Sequence, residues 1–186
     1  MLAAIAVFIA LAGYGTRKIV KLAYPTKYSE YVFTYSLQYN LDPFLVFAII
    51  KAESGFNPKA VSRKNAKGLM QISDKTGFWA AKELKIEEFT ADRLFDPETN
   101  IRIGCWYLNK LSKEKNFRGN LDLIIAAYNG GSGNVRDWLS NPEYSETGTS
   151  LKKIPFAETE VFLRKVKKYY NIYKKLYKNG ILRYDN

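Results

Sequence analysis

The sequence contains no histidine. That absence removes Ser-His-Asp and Cys-His nucleophilic systems, together with every zinc site that needs an imidazole. Cysteine occurs once, at Cys105, so neither an intramolecular disulfide nor a thiolate metal cluster can form. Cys105 stands among Ile101, Gly104 and Leu108 on a predicted helix and reads as a small buried residue. No stretch sustains period-2 alternation of apolar and polar residues, which argues against a sheet-based fold. Internal repeats and low-complexity tracts are also lacking. The remaining acid–base inventory is carboxylates, lysines and tyrosines, so carboxylate chemistry on a sugar is favoured by elimination.

What is present begins with length and charge. A chain of 186 residues suits one domain with a real core. Lys and Arg number 29 against 18 Asp and Glu, a net charge of +11 that implies an anionic partner or surface. Nucleic acid, acidic lipid and an anionic cell wall all fit that charge. At the amino terminus, Leu2 to Ala12 is an uninterrupted apolar run, too short to span a bilayer, which takes about 20 residues. Continuing through Ile19, Val20 and Leu22 gives a spanning length if Arg17, Lys18 and Lys21 snorkel to the interface. Ala10-Leu11-Ala12 alternatively forms a small-x-small signal-peptide cleavage site. A buried amphipathic helix is the third reading. Residues 1–24 are therefore expected to be a signal peptide or membrane anchor.

After Pro25 the pattern is helical. Tyr28, Tyr31, Val32, Tyr35 and Tyr39 form a first stripe. Asp42-Pro43 then opens an apolar helix by a cap-then-proline signal, and Ser54-Gly55 ends it. Leu45, Ala48, Ile49 and Ala52 fall on one face of that helix, and Glu53 closes it at the edge of the buried stripe. A carboxyl there loses water, which favours its protonated form, and a proton kept near neutral pH is what a general acid needs, although on this helix alone a solvated surface charge is the plainer reading. Ser73-Asp74 caps a short helix carrying Phe78, Trp79 and Leu84, and Asp96-Pro97 starts another with Ile101, Cys105, Leu108 and Leu111 inside. Leu121 to Tyr128 is a short apolar helix, and Asn129-Gly130-Gly131-Ser132-Gly133 after it reads as a flexible loop. The last helix holds Phe162, Val166, Tyr169, Tyr173 and Leu176 with lysines around it. That face fits core packing with a solvated lysine rim, or contact with nucleic acid or a membrane.

Four separated segments carry a stronger signal together than singly. They are Glu53-Ser54-Gly55-Phe56-Asn57-Pro58 with Ala60-Val61-Ser62, then Gly68-Leu69-Met70-Gln71-Ile72. Next come Ala127-Tyr128-Asn129-Gly130-Gly131-Ser132-Gly133-Asn134-Val135 and Ile154-Pro155-Phe156-Ala157-Glu158-Thr159. In this order they resemble the soluble lytic transglycosylases, relatives of goose-type lysozyme that cut the glycan strands of peptidoglycan. Asp96-Pro97-Glu98-Thr99-Asn100-Ile101 with Gly104 and Tyr107-Leu108 is similar too, and the likeness runs from about Tyr28 to Tyr173.

The resemblance implies an all-α, lysozyme-like (goose-type) single catalytic domain over residues 25–186, behind the N-terminal hydrophobic segment. It implies that Glu53 is the general acid and then the base that forms a 1,6-anhydromuramyl end. Substrate contacts are implied for Ser62, Gln71, Tyr128, Asn129, Glu158 and Met70. Ser62 on its own residues reads equally as a turn cap, Met70 as packing in the pocket wall, and Glu158 as an orienting group rather than a nucleophile. Gly68 is expected to let the backbone approach the sugar. One departure follows Ile72, where Ser73-Asp74 stands in place of the family's usual hydrophobic residue and proline. No metal or organic cofactor is implied. The expected partners are peptidoglycan glycan strands and anionic cell-wall polymers, without nucleic acid, and the expected state is a monomer. The expected location is the extracytoplasmic envelope, membrane-anchored or secreted. The alternatives are a hydrolytic muramidase on the same scaffold, a non-catalytic wall-binding module and a nucleic-acid-binding domain.

Overall fold

The computed structural model describes residues 20–178. The expectation of a signal peptide or anchor over residues 1–24 thus falls largely outside the described residues. Among the described residues, no helix is long and apolar enough to cross a membrane. The elements are helical throughout: α1 (Ser29–Gln38), α2 (Pro43–Glu53), α3 (Asp74–Glu83), a 3-10 turn (Ala91–Phe95), α4 (Pro97–Lys113), α5 (Leu121–Gly130), α6 (Ser132–Ser140) and α7 (Ala157–Tyr177). Isolated bridges Val61–Lys67 and Lys67–Ile72 are the β pairings among the described residues.

Helix α2 is the axis. Asp42 Oδ1 accepts the Phe44 N–H at 2.9 Å, and Pro43 occupies the first turn without wasting a donor. From Leu45 to Ile50 every side chain is buried. The expected one-sided stripe is therefore a helix buried all round, because α7 and α1 cover it from different sides. Truncating any of these side chains would open a cavity in the centre of the protein.

Helix α4 follows its sequence pattern closely. Asp96 caps it by accepting the Thr99 N–H at 2.8 Å, and Ile101, Cys105, Leu108 and Leu111 lie in the core. Helix α3 is capped by Ser73, but it buries only Gly77, Ala80 and Ala81. Its two large aromatics face out, Phe78 at 52% and Trp79 at 45% exposure.

The glycine-rich run after Tyr128 is not a loop. Helix α5 continues to Gly130 and α6 begins at Ser132, so a single residue separates them. Gly131 makes the corner with φ 87° and ψ 136°, a conformation that a side chain would strain. Val135, Trp138 and Leu139 recur at helical spacing and bury α6, and this packing outweighs the low propensity of its glycine.

The tyrosines of α7 hold the domain together. The Tyr173 hydroxyl donates to the Pro25 carbonyl at 2.9 Å, Tyr177 to the Tyr24 carbonyl at 2.6 Å, and Tyr170 to Asp42 Oδ2 at 2.6 Å. These side chains are spent on internal bonds. They do not form the open tyrosine–lysine face that a nucleic-acid surface would need.

Candidate active site

Glu53 ends α2 at the floor of a cleft of about 330 Å³, whose walls include Ser62, Lys64, Gln71, Tyr128, Asn129 and Glu158. Residues 54–73, Thr76 of α3, Tyr107 of α4, the α5–α6 corner and the start of α7 therefore converge on one cleft.

Residues 54–73 bury Phe56, Leu69, Met70 and Ile72 in the core and are tied in place by polar bonds as well. Ser54 Oγ donates to the Leu69 carbonyl at 2.8 Å and accepts the Phe56 N–H at 3.2 Å, tying the end of α2 to the far side of the loop. The pivot is Asn100, fully buried on α4. Its Oδ1 accepts the Met70 N–H at 2.7 Å, and its Nδ2 donates to the Leu94 carbonyl at 2.7 Å and the Lys67 carbonyl at 2.9 Å. Gly68 lies against this amide with φ 77°, and a Cβ there would stand 2.2 Å from the Leu94 oxygen and 2.3 Å from Asn100 Nδ2. The close approach that requires glycine is thus to Asn100 and Leu94, not to a sugar. Gly104, one turn along α4 from Asn100, leaves room for the Met70 side chain in the same way.

The expected substrate residues occupy different situations. Met70 is fully buried and absent from the cleft wall, so its side chain is core rather than a substrate contact. Its backbone serves the site instead, because the Tyr128 hydroxyl donates to its carbonyl at 2.8 Å. Gln71 adopts φ 51°, and its Nε2 donates to the Gly68 and Ala60 carbonyls, leaving Oε1 without a partner among the described residues. Asn129 Oδ1 accepts the Thr159 hydroxyl at 2.8 Å, which turns the amide and fixes which end is anchored. Ser62 Oγ accepts the N–H groups of Lys64 and Ala66 at 3.2 and 3.0 Å, so it caps its turn. Among the described residues it makes no hydrogen bond to Glu53.

Glu158 is exposed at the cleft rim and pairs with Lys64 at 2.9 Å. An ion pair so open to water adds little stability. It does join the two rims of the cleft, residue 64 from the loop and residue 158 from α7. Burial pushes the Glu53 carboxyl up from the ordinary 4.5 to about 8, and repulsion from Glu158 adds to the effect. Burial, with Glu53 nearby, likewise pushes the Tyr128 phenol well above its usual value, so it stays a neutral donor. Tyr128→Phe would orphan the Met70 carbonyl and should cost about 1–2 kcal/mol, seen as a lower urea midpoint at unchanged slope.

The sequence reading gave no site role to several contributors. Lys64 and Tyr107 line the cleft, Thr159 orients Asn129, and Asn100 organises the loop. Asn100, Gly104 and Tyr107 lie at i, i+4 and i+7, a polar–small–aromatic stripe along an otherwise apolar helix, and that stripe was the available signal. The Ser73-Asp74 departure also has a local explanation. Ser73 caps α3, and Asp74 takes the charge of Lys67, whose side chain is nearly buried.

The family model described as the transglycosylase SLT domain matches residues 30–150. The chain is 33% identical over 153 residues to the soluble lytic murein transglycosylase of Salmonella typhimurium, covering 81% of this chain and 23% of that protein. It is 39% identical to the membrane-bound lytic murein transglycosylase C of Photorhabdus laumondii, covering 75% of this chain and 44% of that one. The fold superposes on the lytic transglycosylase Slt of Pseudomonas aeruginosa, solved as an inactive mutant, with a TM-score of 0.72 and 30% identity. That superposition covers 84% of this chain and 25% of the other. The chain thus spans about a quarter of the length of the Salmonella and Pseudomonas proteins.

Proposed function

The chain belongs to the transglycosylase SLT family, and from that premise we propose that it is a peptidoglycan lytic transglycosylase. The observation that carries the reading is Glu53, a carboxyl kept protonated up to about pH 8 at the floor of an open cleft. The other carboxyl of the cleft, Glu158, is exposed and paired with Lys64, which suits a charge at the rim and not a nucleophile.

In this reading the Glu53 proton goes to the glycosidic oxygen between N-acetylmuramic acid and N-acetylglucosamine as the bond to the anomeric carbon breaks. The resulting carboxylate then takes the proton of the muramic 6-hydroxyl while that oxygen bonds to the anomeric carbon. Protons and bonds balance without water, and the product is a 1,6-anhydromuramyl end. The substrate's own acetamido group stabilises the cationic centre, so one protein carboxyl suffices. Gln71 Oε1 and the Asn129 amide nitrogen supply neutral acceptor and donor groups for sugar hydroxyl and acetamido groups. Tyr128 supports the floor through Met70. A protein acting on this polymer works outside the cytoplasmic membrane, in the cell envelope, and nothing in the cleft requires more than a monomer. The exposed lysines of α7, among them Lys165, Lys168 and Lys175, would hold it near anionic wall polymer.

The test is mass spectrometry of purified peptidoglycan after digestion. Anhydromuramyl ends are expected. Reducing ends would make the protein a hydrolytic muramidase, and glycan binding without cleavage would leave a wall-binding module. The pH profile adds a second check. Activity needs protonated Glu53, so it should fall as pH rises through about 8. Glu158→Gln removes a like charge and should move that basic limb to lower pH.

A further inference from the structure

Trp79 is the most exposed of the three tryptophans, 45% against 5% for Trp106 and 6% for Trp138, and nothing in the chemistry above uses it. It stands on α3 one turn after Thr76, which lines the cleft, a rise of about 4.5 Å along the helix. Its ring meets Trp106 edge-on at 4.7 Å and Tyr107 at 6.3 Å. Tyr107 also lines the cleft, and it meets the Tyr128 ring at 5.5 Å. Aromatic rings therefore run without a break from the cleft floor beside Glu53 out to the surface of α3.

The underlying layer is fixed. Trp106 is buried, and Lys110 sits 5.3 Å over its ring while pairing with Glu83 across the α3–α4 seam. Trp79 therefore has a rigid support on one side and solvent on the other. An aromatic face held in that way is complementary to the apolar C–H face of a pyranose. A flat indole offers much contact area at little cost in side-chain entropy.

We propose that Trp79 is a glycan-binding platform outside the catalytic cleft, on which a more distant sugar ring of the same strand stacks. The inference rests on the glycan reading of the cleft and adds a subsite to it. The occupant is a pyranose because the platform continues from the cleft through Tyr107. A membrane surface would need no such continuity.

The experiment uses the full chain carrying Glu53→Gln, so that ligand is not turned over, with β-1,4-linked N-acetylglucosamine oligomers of two to six residues. Affinity should rise with length, and the longer oligomers should protect Trp79 from iodide quenching. Adding Trp79→Ala should cost about tenfold for the longest oligomer and less than about twofold for the disaccharide, while Trp79→Phe keeps part of the gain. Equal affinities with and without Trp79 at every length would overturn the platform and leave the catalytic reading standing. Failure of every oligomer to bind the parent would overturn the platform, and digestion of peptidoglycan would still decide the catalytic reading separately. Loss of binding to anionic lipid vesicles in Trp79→Ala, with glycan affinity unchanged, would overturn the platform in favour of a membrane contact.

Discussion

Glu53→Gln should lower the rate of glycan cleavage by about 10²–10⁴-fold or more, because it removes the carboxyl proton at the cleft floor while keeping shape and hydrogen-bonding capacity. The same substitution should make the protein more stable in mildly alkaline solution. Folded Glu53 titrates near 8 and unfolded Glu53 near 4.5, so between these values the folded state binds the extra proton. Stability therefore falls as pH rises from 4.5 through 8, by a few kcal/mol at most. Glutamine has no such charge to bury. Unfolding in urea at pH 5 and pH 8.5 should show the variant gaining on the parent with rising pH. Cleavage close to the parental rate would remove Glu53 from the chemistry. A stability difference independent of pH would mean that its carboxyl is solvated and never holds a proton near neutrality.

The second large effect belongs to a residue that touches no substrate. Asn100→Ala should destabilise the fold by about 3–4 kcal/mol. The Lys67 carbonyl keeps a second donor, the Ile72 N–H at 3.0 Å. The Met70 N–H and the Leu94 carbonyl are left buried with no other partner among the described residues. Each orphan costs roughly 1–3 kcal/mol. The loop from Gly68 to Ile72 should loosen as well, so oligosaccharide affinity should drop at temperatures where the variant is still folded. Gln71 depends on that loop for its left-handed backbone. A loss of stability below about 1 kcal/mol would show that the loop is held by Ser54 and Tyr128 instead.

Helices were legible wherever local chemistry agreed with packing. Asp42-Pro43, Ser73 and Asp96-Pro97 each mark a real helix start, and the apolar spacing of α4 gave its inner face. The desolvation of Glu53 was legible in its place at the end of an apolar helix, whereas its expected catalytic role came only from the segments that follow it. Two features misled. Clustered glycines concealed α6, because propensity is local whereas the burial of Trp138 and Leu139 depends on distant residues. In the segment Gly68-Leu69-Met70-Gln71, the glycine was expected to approach the sugar and Met70 to touch substrate or pack the pocket wall, whereas both serve the core.

The sequence by itself determined the class of fold, the helix starts and the chemical inventory, with carboxyls and amides available and imidazole excluded. Those properties reside in single residues and their near neighbours, and they survive without knowledge of the third dimension. Only the tertiary structure decided how Glu53 is desolvated, which atoms of Gln71 and Asn129 remain free, and that Ser62 caps a turn. A side chain's pKa and its unused hydrogen-bonding capacity are set by what lies within a few ångströms. Around Glu53 those neighbours come from segments up to about a hundred residues away in the chain.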